Sequence, residues 1–268
     1  MFIGHAGCGV PNGIFIRSQN SNGMQLYGLI GFPLGHSFSK GYFTEKFAKE
    51  HIADSTYENF PLPEISGFPE LVRSLPHLRG LNVTIPHKTA VIPFLDDLDP
   101  AAREMGAVNT IRNEGGRLIG YNTDTIGFRE SLETLLQPHH KHALVLGTGG
   151  ASKAVEYTLR QLGIEYRLVS RNPQGTDDLT YEQVDGPLLD KYTLIVNTTP
   201  LGMHPAVDTA PPLPYEHLDA RHFLYDLVYN PAKTLFLHKG EAQGAAIKNG
   251  HEMLVLQAEA AWKIWNKA

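Results

Sequence analysis

Between residues 24 and 122 the apolar positions change period several times, and each change marks an element. Gln25-Leu-Tyr-Gly-Leu-Ile-Gly31 is a short, mostly apolar run that the turn Phe32-Pro-Leu-Gly35 closes, so it reads as a strand. Residues 38–51 place Tyr42, Phe43 and Phe47 on one side at helical spacing. A strand over 55–60 and a helix over 65–75 follow. Residues 80–85 then form a strand in which apolar and polar side chains alternate. Pro86 cannot donate to a sheet ladder and restricts Ile85 to extended geometry, so the strand has to stop there. Asp99-Pro100 supplies an N-cap and a first helical residue, and Gly106 closes that helix. Residues 107–112 and 118–122 flank Asn113-Glu-Gly-Gly116 as a hairpin. Pro93 interrupts the apolar run 90–95, so a helix there must kink or break.

The second half has a different rhythm. A helix over 125–136 ends at Gln137-Pro138, which reads as a domain connection. Ala143-Leu-Val-Leu146 is wholly apolar and feeds Gly147-Thr-Gly-Gly-Ala-Ser152, after which a helix runs to Leu162. Strands over 164–169, 194–197 and 223–227 complete a pattern of strand, glycine turn, helix and strand. That order builds βαβ units and a parallel sheet, because a parallel return needs a crossover helix. The chain ends in a helix over 251–267. The expected fold class is α/β with two domains, an N-terminal α/β domain and a Rossmann-type domain.

Bulk properties narrow the function. The 268 residues, 42% apolar and 19% charged, suffice for two modest cores. A net charge of -5 provides no basic field, so nucleic acid is not an expected partner. No apolar run is long enough to span a membrane. The single cysteine, Cys8, excludes a disulfide framework and a cysteine-based zinc site, which fits a reducing, cytoplasmic setting. His139, His140 and His142 lie in a Pro-led linker and read as a solvated turn, so no metal site is expected. Residues 1–23 lack helical or strand period and read as a disordered leader or added extension, with Met24 the natural start.

The chemistry gathers at element ends. Lys88 sits just past the strand that Pro86 stops, at the carboxyl edge where open α/β sheets hold ligands. Asn82 and Thr84, two apart, project from the same face beside it. Alone, these three residues equally fit a solvated strand edge. The glycine turn is more informative. Gly147 permits a tight turn, Gly149 lets the backbone approach a pyrophosphate, and small Ala151 and Ser152 let the helix pack close. Ser170-Arg171-Asn172 follows the next strand, where an NAD site would place a carboxylate. A guanidinium there suits a 2′-phosphate, so NADP is expected over NAD, although an exposed arginine can also be merely solvated. Asp124 reads as a helix N-cap, and Ser37 and Ser39 read either as capping serines or as a small carboxylate site at a helix start.

Eight segments, in order, carry a resemblance. They are Gly31-Phe-Pro-Leu-Gly-His-Ser37-Phe-Ser39, Asn82-Val-Thr84-Ile-Pro-His-Lys88, Gly106-Ala-Val-Asn109-Thr, Gly120-Tyr-Asn-Thr-Asp124, Gly147-Thr-Gly-Gly-Ala151, Asn197-Thr-Thr-Pro-Leu-Gly-Met203, Asp226-Leu-Val-Tyr229-Asn-Pro231 and Gly250-His-Glu-Met-Leu-Val-Leu-Gln257. Together they resemble the shikimate dehydrogenase family from Met24 to the C-terminus. The resemblance implies NADPH-dependent, reversible reduction of 3-dehydroshikimate to shikimate, in aromatic amino-acid biosynthesis. It implies Lys88 and Asp124 as the catalytic pair, and Ser37 and Ser39 on the substrate carboxylate. Thr84, Asn109, Asp124, Tyr229 and Gln257 would hold the ring substituents. Gly147, Thr148, Gly149, Gly150, Ala151, Ser170, Arg171, Asn172, Thr198, Met203, Leu227 and Gly250 would line the NADP site. The implied division is a substrate domain of 24–123 plus 250–268 and an NADP domain of 124–249, with a deep cleft between them, in a monomer or homodimer. The chain departs from the family pattern at Lys40-Gly41, where proline is usual, and at Gly175, which stands where a second arginine is expected. A quinate-preferring relative and a nucleotide-sensing protein without catalysis remain the alternatives. An intact Lys88 and Asp124 speak against the sensor, which needs no proton-transfer pair.

Overall fold

The computed structural model describes residues 23–35 and 37–267. The expectations for residues 1–22, Cys8 among them, lie outside the described residues. The first sheet is built from β1 (Gln25–Gly31), β2 (Ser55–Pro61), β3 (Leu78–Val83), β4 (Asp97–Leu98), β5 (Thr110–Glu114) and β6 (Arg117–Tyr121), in the order β2-β1-β3-β5-β6-β4. β1 runs parallel to β2 and β3, and the hairpin β5–β6 adds antiparallel to β3. Alternation along β1 sorts its side chains. Tyr27 and Leu29 enter an aromatic core with Phe43, Phe47, Tyr57 and Trp265, and Ile30 enters the opposite core with Phe68, Leu81 and Ile111. Two helices cover the aromatic side, α1 (Phe38–Lys49) and the far end of α8 (His251–Trp265). Gly80 is needed for this contact, because a Cβ there would lie 2.2 Å from the Trp265 ring. α2 (Phe68–Ser74) lies over the opposite core, and α3 (Pro100–Met105) leads into β5.

The second sheet is entirely parallel. It comprises β7 (His142–Leu146), β8 (Glu165–Val169), β9 (Leu194–Asn197), β10 (Phe223–Asp226) and β11 (Ala246–Lys248), in the order β11-β10-β9-β7-β8. Its central strands are apolar on both faces, as a sheet covered on both sides requires. The order reverses between β8-β7 and β9, so the glycine turn after β7 lies at a topological switch point. α5 (Gly150–Gln161), α6 (Gly186–Lys191) and α7 (Leu235–Ala242) pack around the sheet. α4 (Asp124–Glu133) buries Phe128 and Leu132 in the same core as Met253 of α8, so α8 contributes to both sheets' cores. α4 crosses α8 closely at Gly127, where a Cβ would meet the Met253 carbonyl at 2.5 Å.

Several boundaries differ from those read off the pattern. The strand expected over 80–85 spans Leu78–Val83, because the bond from Val83 N to the carbonyl of Asn109, just before β5, is the last on that side and leaves Thr84 N bonded on the β1 side alone. The run 65–75 splits into a tight turn (Ile65–Gly67) and α2, whose first turn holds Pro69. At 90–95 the helix is broken to a single tight turn, Ile92–Phe94, containing Pro93. Thr123, and not Asp124, occupies the N-cap of α4. β4, α6, α7 and β11 have no counterpart in the pattern, being too short for a period to register. Among the described residues, no helix is long and apolar enough to cross a membrane, and no group of acidic, histidine or cysteine side chains is placed to hold a metal ion.

Candidate active site

Lys88 is fixed by its backbone before its side chain does anything. Its carbonyl accepts from Val108 N at 2.8 Å, which ties the loop after β3 to the approach to β5. From there Nζ donates to Asp124 Oδ2 at 2.6 Å, and both side chains are mostly buried. Asp124 is the first residue of α4, where the helix dipole favours a carboxylate. Because Thr123 takes the N-cap, the Asp124 carboxylate is free of the capping role that the sequence suggested. Its second oxygen, Oδ1, accepts from Asn109 Nδ2 at 2.8 Å. Asn109 Oδ1 in turn accepts from Thr123 N at 2.7 Å. The amide is thus locked in one orientation, and through it the carboxylate. Gln257 joins from α8, its Oε1 accepting from Thr123 Oγ1 at 3.4 Å.

The two serines lie at the start of α1. Ser37 is in the N-cap position, yet its hydroxyl makes no capping bond and its buried Oγ has no partner among the described residues. A buried hydroxyl without a partner is costly, and a carboxylate ligand would satisfy it. Ser39 adjoins the phenol of Tyr57, whose hydroxyl donates to Asn82 Oδ1 at 2.8 Å. Burial pushes that phenol far above the ordinary tyrosine range, and Ser39 partly opposes the shift, so Tyr57 remains a donor. Asn82 Nδ2 donates to Thr110 Oγ1 at 3.2 Å, and Thr110 Oγ1 donates to Asn109 Oδ1 at 3.1 Å. A buried polar relay therefore runs from Tyr57, beside Ser39, to the Lys88–Asp124 pair. Phe38 of α1 meets the rings of Tyr229 and His251 edge-on, at 6.1 and 6.0 Å, so Tyr229 reaches across from the second sheet.

The glycine turn opens onto a cavity of about 550 Å³. Gly147 has φ 101°, and a Cβ there would press on Thr198 Oγ1 and Thr199 Cγ2 at 2.9 Å. Gly149 caps α5 without a side chain, which leaves the first-turn N–H groups of that helix without a side-chain acceptor. Ser170, Arg171 and Asn172 form the far wall, and Ser170 Oγ is another buried hydroxyl without a partner. Arg171 is the one charged side chain lining the cavity among the described residues. Among the described residues no carboxylate lines it; Asp178 instead accepts from the N–H groups of Gln174 and Gly175. A turn that approaches an anion, an unpaired hydroxyl and a lone guanidinium fit a phosphorylated dinucleotide.

With this geometry in hand, relatives of known function can be compared. The model of the shikimate dehydrogenase substrate binding domain matches residues 29–111. A shikimate dehydrogenase (NADP(+)) of Desulforamulus reducens is 36% identical over 90% of this chain and 89% of its own. One of Bacillus cereus is 38% identical over 90% of this chain and 92% of its own. The chain belongs to the shikimate dehydrogenase family. The solved Thermus thermophilus shikimate 5-dehydrogenase, in complex with NADP(H) and shikimate, superposes with a TM-score of 0.76 at 32% identity, covering 91% of this chain and 94% of that one.

Against the family expectation, the fold brings Lys88, Asp124, Asn109 and Gln257 into one connected cluster. It brings Gly147, Thr148, Gly149, Ser170, Arg171, Asn172 and Thr198 around one cavity. Gly150 and Ala151 lie behind it in the first turn of α5. Met203, Leu227 and Gly250 lie outside that cavity; Met203 is exposed, and Gly250 packs on the Leu227 carbonyl. Sequence reasoning left out Tyr57, Thr110 and Thr123, which carry the relay, and Tyr181, which walls the cavity. Only tertiary register joins these residues, and nothing in their local spacing signals it.

Proposed function

We propose that this chain is an NADP-dependent shikimate dehydrogenase that reversibly reduces 3-dehydroshikimate to shikimate. The observation that carries the reading is the Lys88–Asp124 pair, 2.6 Å apart, mostly buried, with its carboxylate held by Asn109. In reduction, negative charge grows on the substrate carbonyl oxygen. The Lys88 ammonium stabilises that charge and passes a proton to the oxygen, leaving a neutral amine. Asp124 accepts from Nζ and so aims it, and Asn109 keeps the carboxylate from turning. In the reverse direction the neutral Lys88 amine takes the proton of the substrate hydroxyl. NADPH supplies the hydride.

The remaining residues bind and orient. Ser37 and Ser39 take the substrate carboxylate, which the unpaired Ser37 hydroxyl supports. Thr84, Asn109, Tyr229 and Gln257 hold the ring hydroxyls. Arg171 pairs with the 2′-phosphate of NADP, and the glycine turn receives the pyrophosphate. The division of labour we propose assigns 24–123 with 250–268 to the substrate and 124–249 to the cofactor, in a cytoplasmic monomer or homodimer. A sensor that only binds nucleotide has no use for a buried, oriented lysine. Initial rates with shikimate and with quinate, each paired with NADP and with NAD, test the reading. Highest kcat/KM for shikimate with NADP is expected. Preference for quinate, or the absence of turnover with any pair, would overturn it.

A further inference from the structure

Asp226 closes β10 and is completely buried, yet no cation faces its carboxylate in the described structure. It is held by three donors, one at the end of β9 and two in the chain that follows β10. Asn197 Nδ2 and Val228 N donate to Oδ1 at 2.9 and 3.0 Å, and Thr234 Oγ1 donates to Oδ2 at 2.5 Å. Each donor governs a different stretch of chain. Asn197 uses its other arm to accept from Thr199 N and Thr199 Oγ1 at 3.0 and 2.7 Å, which shapes the loop that walls the cofactor cavity. Val228 lies one residue before Tyr229, which reaches Phe38 at the serine site. Thr234 caps α7 and packs under Gly202, where a Cβ would lie 3.1 Å from the Thr234 Cβ.

We propose that Asp226 is a positioning residue for both ligands: from beneath, one carboxylate ties the cofactor-side loop 197–203 to the substrate-side loop 227–234. It touches neither ligand. A buried carboxylate without a cation is unfavourable for folding, and an apolar side chain at this strand end would pack at less expense. What a carboxylate adds is acceptor capacity for three donors arriving from two loops, with no donor of its own to misplace. Burial pushes this carboxyl up to about 6 despite the three donors. Loss of the carboxylate frees both loops together. The proton-transfer pair, Lys88 after β3 and Asp124 at the start of α4, makes no hydrogen bond to Asp226 and is left in place.

The proposal rests on the function assigned above, so wild-type turnover of shikimate with NADP is measured alongside. Its absence would sink that assignment, whereas the outcomes below concern Asp226. Asp226→Ala, Asp226→Asn and Leu224→Ala are compared by NADPH fluorescence titration without substrate, by steady-state kinetics in shikimate and by thermal melting. Asp226→Ala is expected to raise both the NADPH Kd and the shikimate KM at least about fivefold, with kcat falling by less. Asp226→Asn keeps an acceptor for Asn197 and Val228 and can donate to Thr234 Oγ1, so both values should return to within about threefold of wild type. Leu224→Ala opens a cavity at a fully buried position of the same strand, so it should lower Tm while leaving Kd and KM within about twofold. Unchanged Kd and KM in Asp226→Ala would overturn the proposal. So would loss of only one ligand's affinity, or equal losses in Leu224→Ala. Should Asp226→Ala fail to fold, Thr234→Val removes the Oδ2 donor together with the cap of α7 and should raise both constants by about twofold or more. No rise in either would overturn the proposal equally.

Discussion

Tyr57→Phe removes a single buried hydroxyl beside Ser39, next to the substrate site proposed above, and the structure fixes what that costs. The ring is 3% exposed and stacks on Phe43 at 4.7 Å, so its apolar contacts survive the change. Only the donor to Asn82 Oδ1 is lost. Asn82 is itself buried, so its oxygen is left facing a site that water does not readily enter. An unsatisfied buried acceptor is destabilising by about 1–3 kcal/mol. For a chain of this size that lowers Tm by roughly 2–8 °C. The effect on activity should be selective. Ser39 loses its phenol neighbour and Asn82 is released to turn, while the cofactor cavity lies against the other sheet. Shikimate KM should therefore rise by about three- to tenfold, with the NADPH Kd unchanged. Differential scanning fluorimetry and steady-state kinetics read the two effects separately. Unaltered Tm with unaltered KM would refute the relay from Ser39 to Asn82. Equal losses for substrate and cofactor would refute its confinement to the substrate side.

Arg171→Ala should raise the apparent KM for NADP by about ten- to a hundredfold and leave NAD nearly unchanged, since one charge-assisted contact is worth roughly 1.5–3 kcal/mol; equal losses with both cofactors would show that the guanidinium meets no 2′-phosphate. Gly80→Ala sets a Cβ 2.2 Å from the rigid, buried Trp265 ring and strains its bond to the Ile111 carbonyl, so thermal melting should show a loss of about 1–3 kcal/mol or more; an unchanged Tm would contradict the packing of α8. The Asp226 carboxyl, pushed up from 3.8 to about 6, takes up its proton more readily folded than unfolded. Its contribution to stability is full below about pH 3.8 and is lost as pH rises through about 6, a difference of about 3 kcal/mol. Asp226→Asn should remove this term, so its Tm should gain on wild type between pH 5 and pH 7; parallel pH profiles for the two proteins would count against the shift.

The architecture was legible wherever a period had room to show itself. β1, β9 and the glycine turn lie where the pattern placed them, because each is an apolar run ended by a residue with a fixed backbone consequence. Short elements such as β4 and β11 escaped, since two or three residues carry no period and exist through their neighbours. Lys88 could be singled out because Pro86 ends the pairing just before it. The role of Asp124 could not be read locally: at the opening of a helix a carboxylate looks like a cap, and only the fold shows Thr123 taking that place. Ser37 presented the same ambiguity, and its hydroxyl caps nothing among the described residues. Tyr57 and Asp226 were invisible for a further reason. Their partners lie on other strands and loops, and the meaning of a buried polar side chain resides in the donors and acceptors that surround it.

The central claim is that Lys88, aimed by Asp124, moves the proton that accompanies hydride transfer. Its most direct test is kcat of Lys88→Ala with shikimate and NADP, under conditions where a primary deuterium isotope effect shows that chemistry limits turnover, alongside NADPH titration. The account predicts a fall in kcat of at least about a hundredfold with the NADPH Kd unchanged, because a positioned acid–base group is lost while the cofactor cavity is intact. A Lys88→Ala enzyme that keeps near-normal kcat with the isotope effect still expressed would contradict it.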